Sequence, residues 1–146
     1  MTGAAMDDNR IARWLRLHLE ALAEVGVARL RLSWSSWRRV LEESQRRVPT
    51  GGPASESLNG GQPPVVDAVE RAIWRIDRFV PGSTCIHRAV AGHRMLTRRG
   101  IDARVVIGLR SGDALEGHAW IEIDGGDRLQ RAFIEDDAGY QSVWGR

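Results

Sequence analysis

The chain has 146 residues and a mass of 16.3 kDa, and it is 42% hydrophobic and 27% charged with six tryptophans. That length suits one domain with a real core, and the composition excludes a wholly disordered chain. All 21 basic residues are arginine, set against 19 carboxylates for a net charge of only +2, so the pI of 9.4 reflects arginine usage and not a nucleic-acid footprint.

No apolar run approaches the roughly 20 residues that span a bilayer. The opening MTGAAMDDNR lacks the basic and then apolar pattern of a signal peptide. Cys85, the single cysteine, can form neither an internal disulfide nor a cysteine-rich zinc site. The expectation is a soluble cytoplasmic protein.

From Asn9 to Val25, Ile11, Trp14, Leu15, Leu19, Leu22 and Val25 recur at helix spacing and predict one apolar face. Asp8 or Asn9 can cap this helix and Gly26 suits its end. Ser35 or Ser36 can open a second short helix through Trp37-Arg38-Arg39-Val40-Leu41. Pro49 to Pro64 collects Pro, Gly, Ser and Asn and reads as a loop or linker. Val66, Val69, Ile73, Ile76 and Val80 line a third helix, which Pro81-Gly82 stops. A fourth begins at once with Ser83 or Thr84 as N-cap, runs through Ala89 and His93 to Leu96, and closes at Gly100.

The pattern then changes. Ala103 to Leu109 is rich in β-branched residues and reads as a strand, and His118 to Ile123 alternates and reads as a second. Asp124-Gly125-Gly126-Asp127 has hairpin-turn chemistry, so Arg128 to Ile134 can return antiparallel. Helices followed by an antiparallel sheet make the fold class α+β. A helical N-terminal part over 1–64, ending in the linker, precedes a core over 65–146, together expected to form one compact domain.

Cys85 stands at a helix start, where unpaired N–H groups and the helix dipole favour a thiolate. A thiolate needs a base, and the base needs a third group to hold its tautomer. His118 opens a strand between Gly117 and Ala119, with Trp120 directed to the same sheet face. Glu135, Asp136 and Asp137 end the returning strand within reach of the imidazole. Taken singly, each has a bland reading: a small buried hydrophobe, a structural histidine, a solvated acidic turn. His87 and His93 are six residues apart, not a same-face spacing, so no metal site and no cofactor are expected.

In combination the three resemble the transglutaminase-like, papain-related cysteine peptidase superfamily, and more narrowly the stand-alone leader peptidases of lasso peptide biosynthesis. The resemblance lies in Pro81-Gly-Ser-Thr-Cys85-Ile-His-Arg88-Ala89, Leu96-Thr-Arg98-Arg99-Gly100-Ile101, Ala103-Arg-Val-Val-Ile-Gly108 and His118-Ala119-Trp120-Ile-Glu122-Ile-Asp124-Gly125. It implies a transglutaminase-like core with Cys85 as nucleophile, His118 as base and Asp136 as the acid, with Glu135 and Asp137 behind it. It further implies removal of the leader from a ribosomally made precursor peptide. A separate leader-recognition protein and a macrolactam synthetase are the implied partners. The chain departs from the family pattern at Gly82, where relatives commonly carry an aromatic residue. It departs again in placing the acid eighteen residues after His118. The Cys85 backbone N–H is a plausible oxyanion donor.

Two other readings use the same residues: a different acyl transfer through the same dyad, or an inert scaffold of a peptide maturation complex. Trp14, Trp34 and Trp37 are expected in inter-helix packing or, alternatively, on a docking face whose arginines steer an acidic leader.

Overall fold

The computed structural model describes residues 3–46, 64–124, 129–134 and 139–145, with side chains from Asp8 onward in the first stretch. Of the predicted Pro49 to Pro64 loop, residues 49–63 lie outside the described residues, as do the turn at Gly125 to Asp127 and Glu135, Asp136 and Asp137.

Helix α1 runs over Gly3–Trp34, past both predicted ends. Gly26 does not stop it. No atom lies within 4 Å of where a Gly26 Cβ would stand, while neighbouring Val25 and Ala28 are wholly buried. Packing thus carries the helix through a glycine that costs about 1 kcal/mol relative to alanine. Of the predicted face Val25 is wholly buried, but the rest of the buried face differs. Ala21, Val25 and Ala28 face the core, whereas Ile11, Leu15, Leu19 and Leu22 are 45–64% exposed. Small residues let α1 lie close to its neighbours, and the large ones are left on the outside.

Helix α2 covers Trp37–Gln45, with Ser36 at its N-cap position as predicted, and buries Val40, Leu41 and Ser44. Helix α3, Pro64–Asp77, starts on proline, whose missing N–H costs nothing there, and buries Val66, Val69, Ala72 and Ile73. It ends short of Pro81, because Phe79 and Val80 turn back onto the Ile76 and Asp77 carbonyls. Helix α4, Cys85–Thr97, has Thr84 as N-cap. It closes as the sequence predicts: Gly100 takes φ +75°, Ile101 N–H reaches the Leu96 carbonyl and Gly100 N–H reaches Thr97.

Strands β1 (Ala103–Ser111), β2 (Leu115–Asp124), β3 (Leu129–Ala132) and β4 (Gln141–Trp144) follow. They form one antiparallel sheet in the order β3-β2-β1-β4. The fold is α+β, with N-terminal helices preceding a four-stranded antiparallel sheet among the described residues. Strand β2 begins earlier than predicted, so His118 lies inside it, paired with Gly108. The extension is held by Arg110 Nη2 on Glu116 Oε2 at 2.6 Å. Strand β4 has no counterpart in the sequence reading. It is four residues long without clear alternation and pairs with β1 across a register shift at Ile107/Gly108.

Val25 of α1, Leu41 of α2, Ile73 of α3, Met95 and Leu96 of α4, and Val105, Ile121 and Ile123 of the sheet share one apolar cluster. The far end of α4 is tied to α1 by charge. Glu24 accepts from Arg94 Nε at 2.5 Å and Arg98 Nη2 at 2.7 Å, and Glu20 accepts from Arg99 Nη2 at 2.6 Å. The Arg98-Arg99 pair at the end of α4 is therefore structural. Among the described residues no helix is long and apolar enough to cross a membrane.

Candidate functional site

Cys85 is the first residue of α4 and is partly buried against the apolar cluster. The helix start is built by Thr84, whose N–H donates to Nδ1 of His87 at 3.0 Å. A backbone N–H can only donate, so Nδ1 of His87 is unprotonated. Burial, reinforced by the Arg29 charge, pushes the His87 pKa down and keeps the ring in that form. One turn on, Arg88 Nη1 donates to Asp77 Oδ2 at 2.7 Å. Its guanidinium also lies 4.3 Å over the Trp74 ring. The start of α4 is thus braced against the end of α3.

His118 sits on β2. Its neighbours Ala119, Ile121 and Ile123 turn toward the helices and join the apolar cluster. Strand alternation puts His118, Trp120 and Glu122 on the other face. There the Tyr140 ring lies 5.5 Å from His118 and 6.2 Å from Trp120. Trp120 is fully buried over Gly108, where a Cβ would overlap its ring, and its Nε1 donates to buried Glu122 Oε1 at 3.2 Å.

The imidazole has one clear partner: Nε2 lies 3.2 Å from the carbonyl oxygen of Phe133. A carbonyl only accepts, so Nε2 carries the proton and Nδ1 is left as the basic nitrogen. Phe133 is itself held on three sides. Its ring packs against Gly92 of α4, its N–H donates to Glu70 Oε1 of α3 at 2.7 Å, and its φ of +64° turns the carbonyl to His118.

The sequence-predicted residues therefore stand as follows. Cys85 is at a helix start, as read. His118 is inside its strand, not at the opening, and its Nε2 is occupied by Phe133. No hydrogen bond joins Cys85 to His118 among the described residues, and Asp136, Glu135 and Asp137 are not among them. Sequence reasoning missed Glu70, Phe133 and Tyr140. The available signals were Gly92 and Gly108, glycines inside a helix and a strand, which mark close approach of another group. Among the described residues no group of three or more His, Cys, Asp or Glu is placed to hold a metal ion. Trp14, Trp34 and Trp37 are 50%, 87% and 39% exposed, so they are not core residues.

No curated protein and no solved structure matches the chain. A model of the transglutaminase-like superfamily does, over residues 21–142, from within α1 to within β4. With most of its length so matched, and with a cysteine-led helix followed by an antiparallel sheet bearing His118, the chain belongs to the transglutaminase-like superfamily.

Proposed function

We propose that this protein is a cytoplasmic cysteine peptidase that removes the leader from a ribosomally synthesised lasso precursor peptide before macrolactam formation. Its partners are the precursor's leader region, a separate leader-recognition protein and the macrolactam synthetase. Cys85 Sγ attacks the scissile carbonyl and its proton passes to Nδ1 of His118. That proton then goes to the leaving amine as the C–N bond breaks, leaving a thioester. Water attacks the thioester, giving a proton to His118, which returns it to Cys85 Sγ as the C–S bond breaks and the acid is released. Asp136, with Glu135 and Asp137 as alternatives, supports the imidazolium. The Cys85 N–H at the helix start is suited to the oxyanion.

The observation that carries this reading is the bond from His118 Nε2 to the Phe133 carbonyl. It fixes the tautomer in which Nδ1 is free to accept a proton, the part an orienting group plays in a nucleophile–base pair. Phe133 also lies three residues before Asp136 in the chain. Family membership and the helix-start Cys85 support the same reading.

A second reading has its own observation. His118 shares a face with Trp120, and no hydrogen bond links it to Cys85 among the described residues, as an inert scaffold would also show. Iodoacetamide alkylation separates the two, because Cys85 is the single thiol. A working pair predicts that His118→Ala slows alkylation at pH 7 by at least about tenfold, a modest share of what a positioned base contributes. Equal rates in the two proteins overturn the peptidase and leave the scaffold. Added amines then decide hydrolysis against transfer: an amide product in place of the acid identifies another acyl-transfer enzyme of this fold.

A further inference from the structure

Between the first half of α1 and the start of α3 lies an open groove of about 620 Å³. Its apolar lining comes from Trp14, Leu17, Val65 and Ala68, and Arg10, Arg13 and Arg16 stand around it. The groove's Arg99 and Glu20 neutralise each other at 2.6 Å. Arg10, Arg13 and Arg16 have no carboxylate partner among the described residues, and their three positive charges stand around the apolar floor. Trp14, half exposed and stacked on His18 with ring centroids 3.9 Å apart, connects the groove to the outer stripe of Ile11, Leu15, Leu19 and Leu22.

We infer that this groove docks an acidic peptide segment of a partner protein, with aliphatic or aromatic side chains on the floor and carboxylates on the three arginines. Charge decides against a second copy of the chain. Helix α1 carries Arg10, Arg13 and Arg16 in one half and Arg29 and Arg31 in the other. Its Glu20 and Glu24 are already held by Arg94, Arg98 and Arg99. Pairing two α1 helices sets Arg10, Arg13 and Arg16 against like charge over most of their length, with Asp7 and Asp8 the two remaining carboxylates of α1. The same three arginines favour an anion, and the apolar Trp14 and Leu17 floor favours side chains over a phosphate backbone. The docking does not draw on the Cys85 chemistry.

The test is to pan a phage library of random 16-residue peptides on the full chain, then measure the selected peptide by fluorescence anisotropy. The expected sequences are net acidic with large apolar residues. Their binding falls at least tenfold in the Arg13→Glu/Arg16→Glu variant and in Trp14→Ser, and is unchanged in Cys85→Ala. All three altered groove positions are solvent-exposed, so circular dichroism is expected to show retained helicity. Failure to enrich any sequence, selection of neutral or basic peptides, or undiminished binding to the charge-reversed variant overturns the inference. So does displacement of the peptide by a single-stranded oligonucleotide. A wild-type dimer that dissociates on Leu19→Glu overturns it in favour of self-association. None of these outcomes bears on the alkylation result, so the groove and the thiol chemistry fail separately.

Discussion

His118 Nε2 and the carbonyl oxygen of Phe133 are 3.2 Å apart, and that carbonyl is aimed by a non-glycine residue held at φ +64°. Such a conformation persists only where the surroundings over-determine it. Here the surroundings are Glu70 on α3 and Gly92 on α4, so the orientation of a histidine on the sheet depends on two helices.

Glu70 is the first lever. Glu70→Ala leaves the Phe133 N–H without its acceptor and is expected to cost about 1–3 kcal/mol in chemical denaturation. Glu70→Gln keeps an acceptor oxygen and is expected to retain most of that stability. The His118 Nε2–H proton signal in NMR is expected to broaden in the alanine variant and persist in the glutamine variant.

Two glycine-to-alanine substitutions are expected to act in opposite directions. At Gly92 a Cβ meets the Phe133 ring and Ile121 Cδ1, so Gly92→Ala overpacks the core and costs about 1–3 kcal/mol. At Gly26, inside α1, nothing lies within 4 Å, and Gly26→Ala stabilises by about 0.4–1 kcal/mol through the reduced entropy of the unfolded chain. Urea melts of the two variants check both signs.

Stability is expected to fall in two stages as the solution is acidified. Burial pushes the pKa values of His87 and His93 below the ordinary 6.5. The unfolded chain therefore takes up protons first. The contribution of these histidines is complete above that value and is lost as pH falls through their folded pKa values. His93 is 1% exposed, and neither of its ring nitrogens has a hydrogen-bond partner among the described residues. The Arg99 hydrogen bond then holds Glu20 below its ordinary 4.5, so its contribution is present above 4.5 and disappears at lower pH. Denaturation between about pH 7 and pH 5 is expected to lose its slope in a His87→Gln/His93→Gln variant, while the more acid limb remains.

The arginine–carboxylate pairs are not equivalent. Glu24 is 6% exposed and serves Arg94 and Arg98 together. Glu24→Ala is expected to cost about 2–3 kcal/mol, because it strands charge in a partly buried place. Arg31 and Glu43 are a solvent-exposed pair at 3.4 Å, and Arg31→Ala is expected to change stability by less than about 1 kcal/mol. Thermal melts at low and high salt distinguish them.

Much of this architecture was legible in the order of residues. Ser36 before Trp37, Thr84 before Cys85 and Gly100 after Arg98-Arg99 mark helix ends through backbone hydrogen bonding, which is local and therefore written locally. The β-branched run from Ala103 and the alternation through Ile123 specify strands for the same reason. The change from helix to strand periodicity made the class α+β, and the helix-start position of Cys85 was likewise readable. Other features depended on partners distant in the chain. Periodicity finds an apolar stripe but not its neighbour, so it could not show that α1 buries Ala21, Val25 and Ala28 and leaves Leu15 and Leu19 outside. Gly26 looked like a stop because the packing of Val25 and Ala28 that overrides its propensity comes from other elements. Short β4 owes its existence to the edge of β1. Local pattern thus determined the helices, the first three strands and the candidate nucleophile. Tertiary contact alone decided which face of α1 is buried, that His118 lies within its strand, and that Phe133 sets its tautomer, because each rests on groups brought together only when the chain folds.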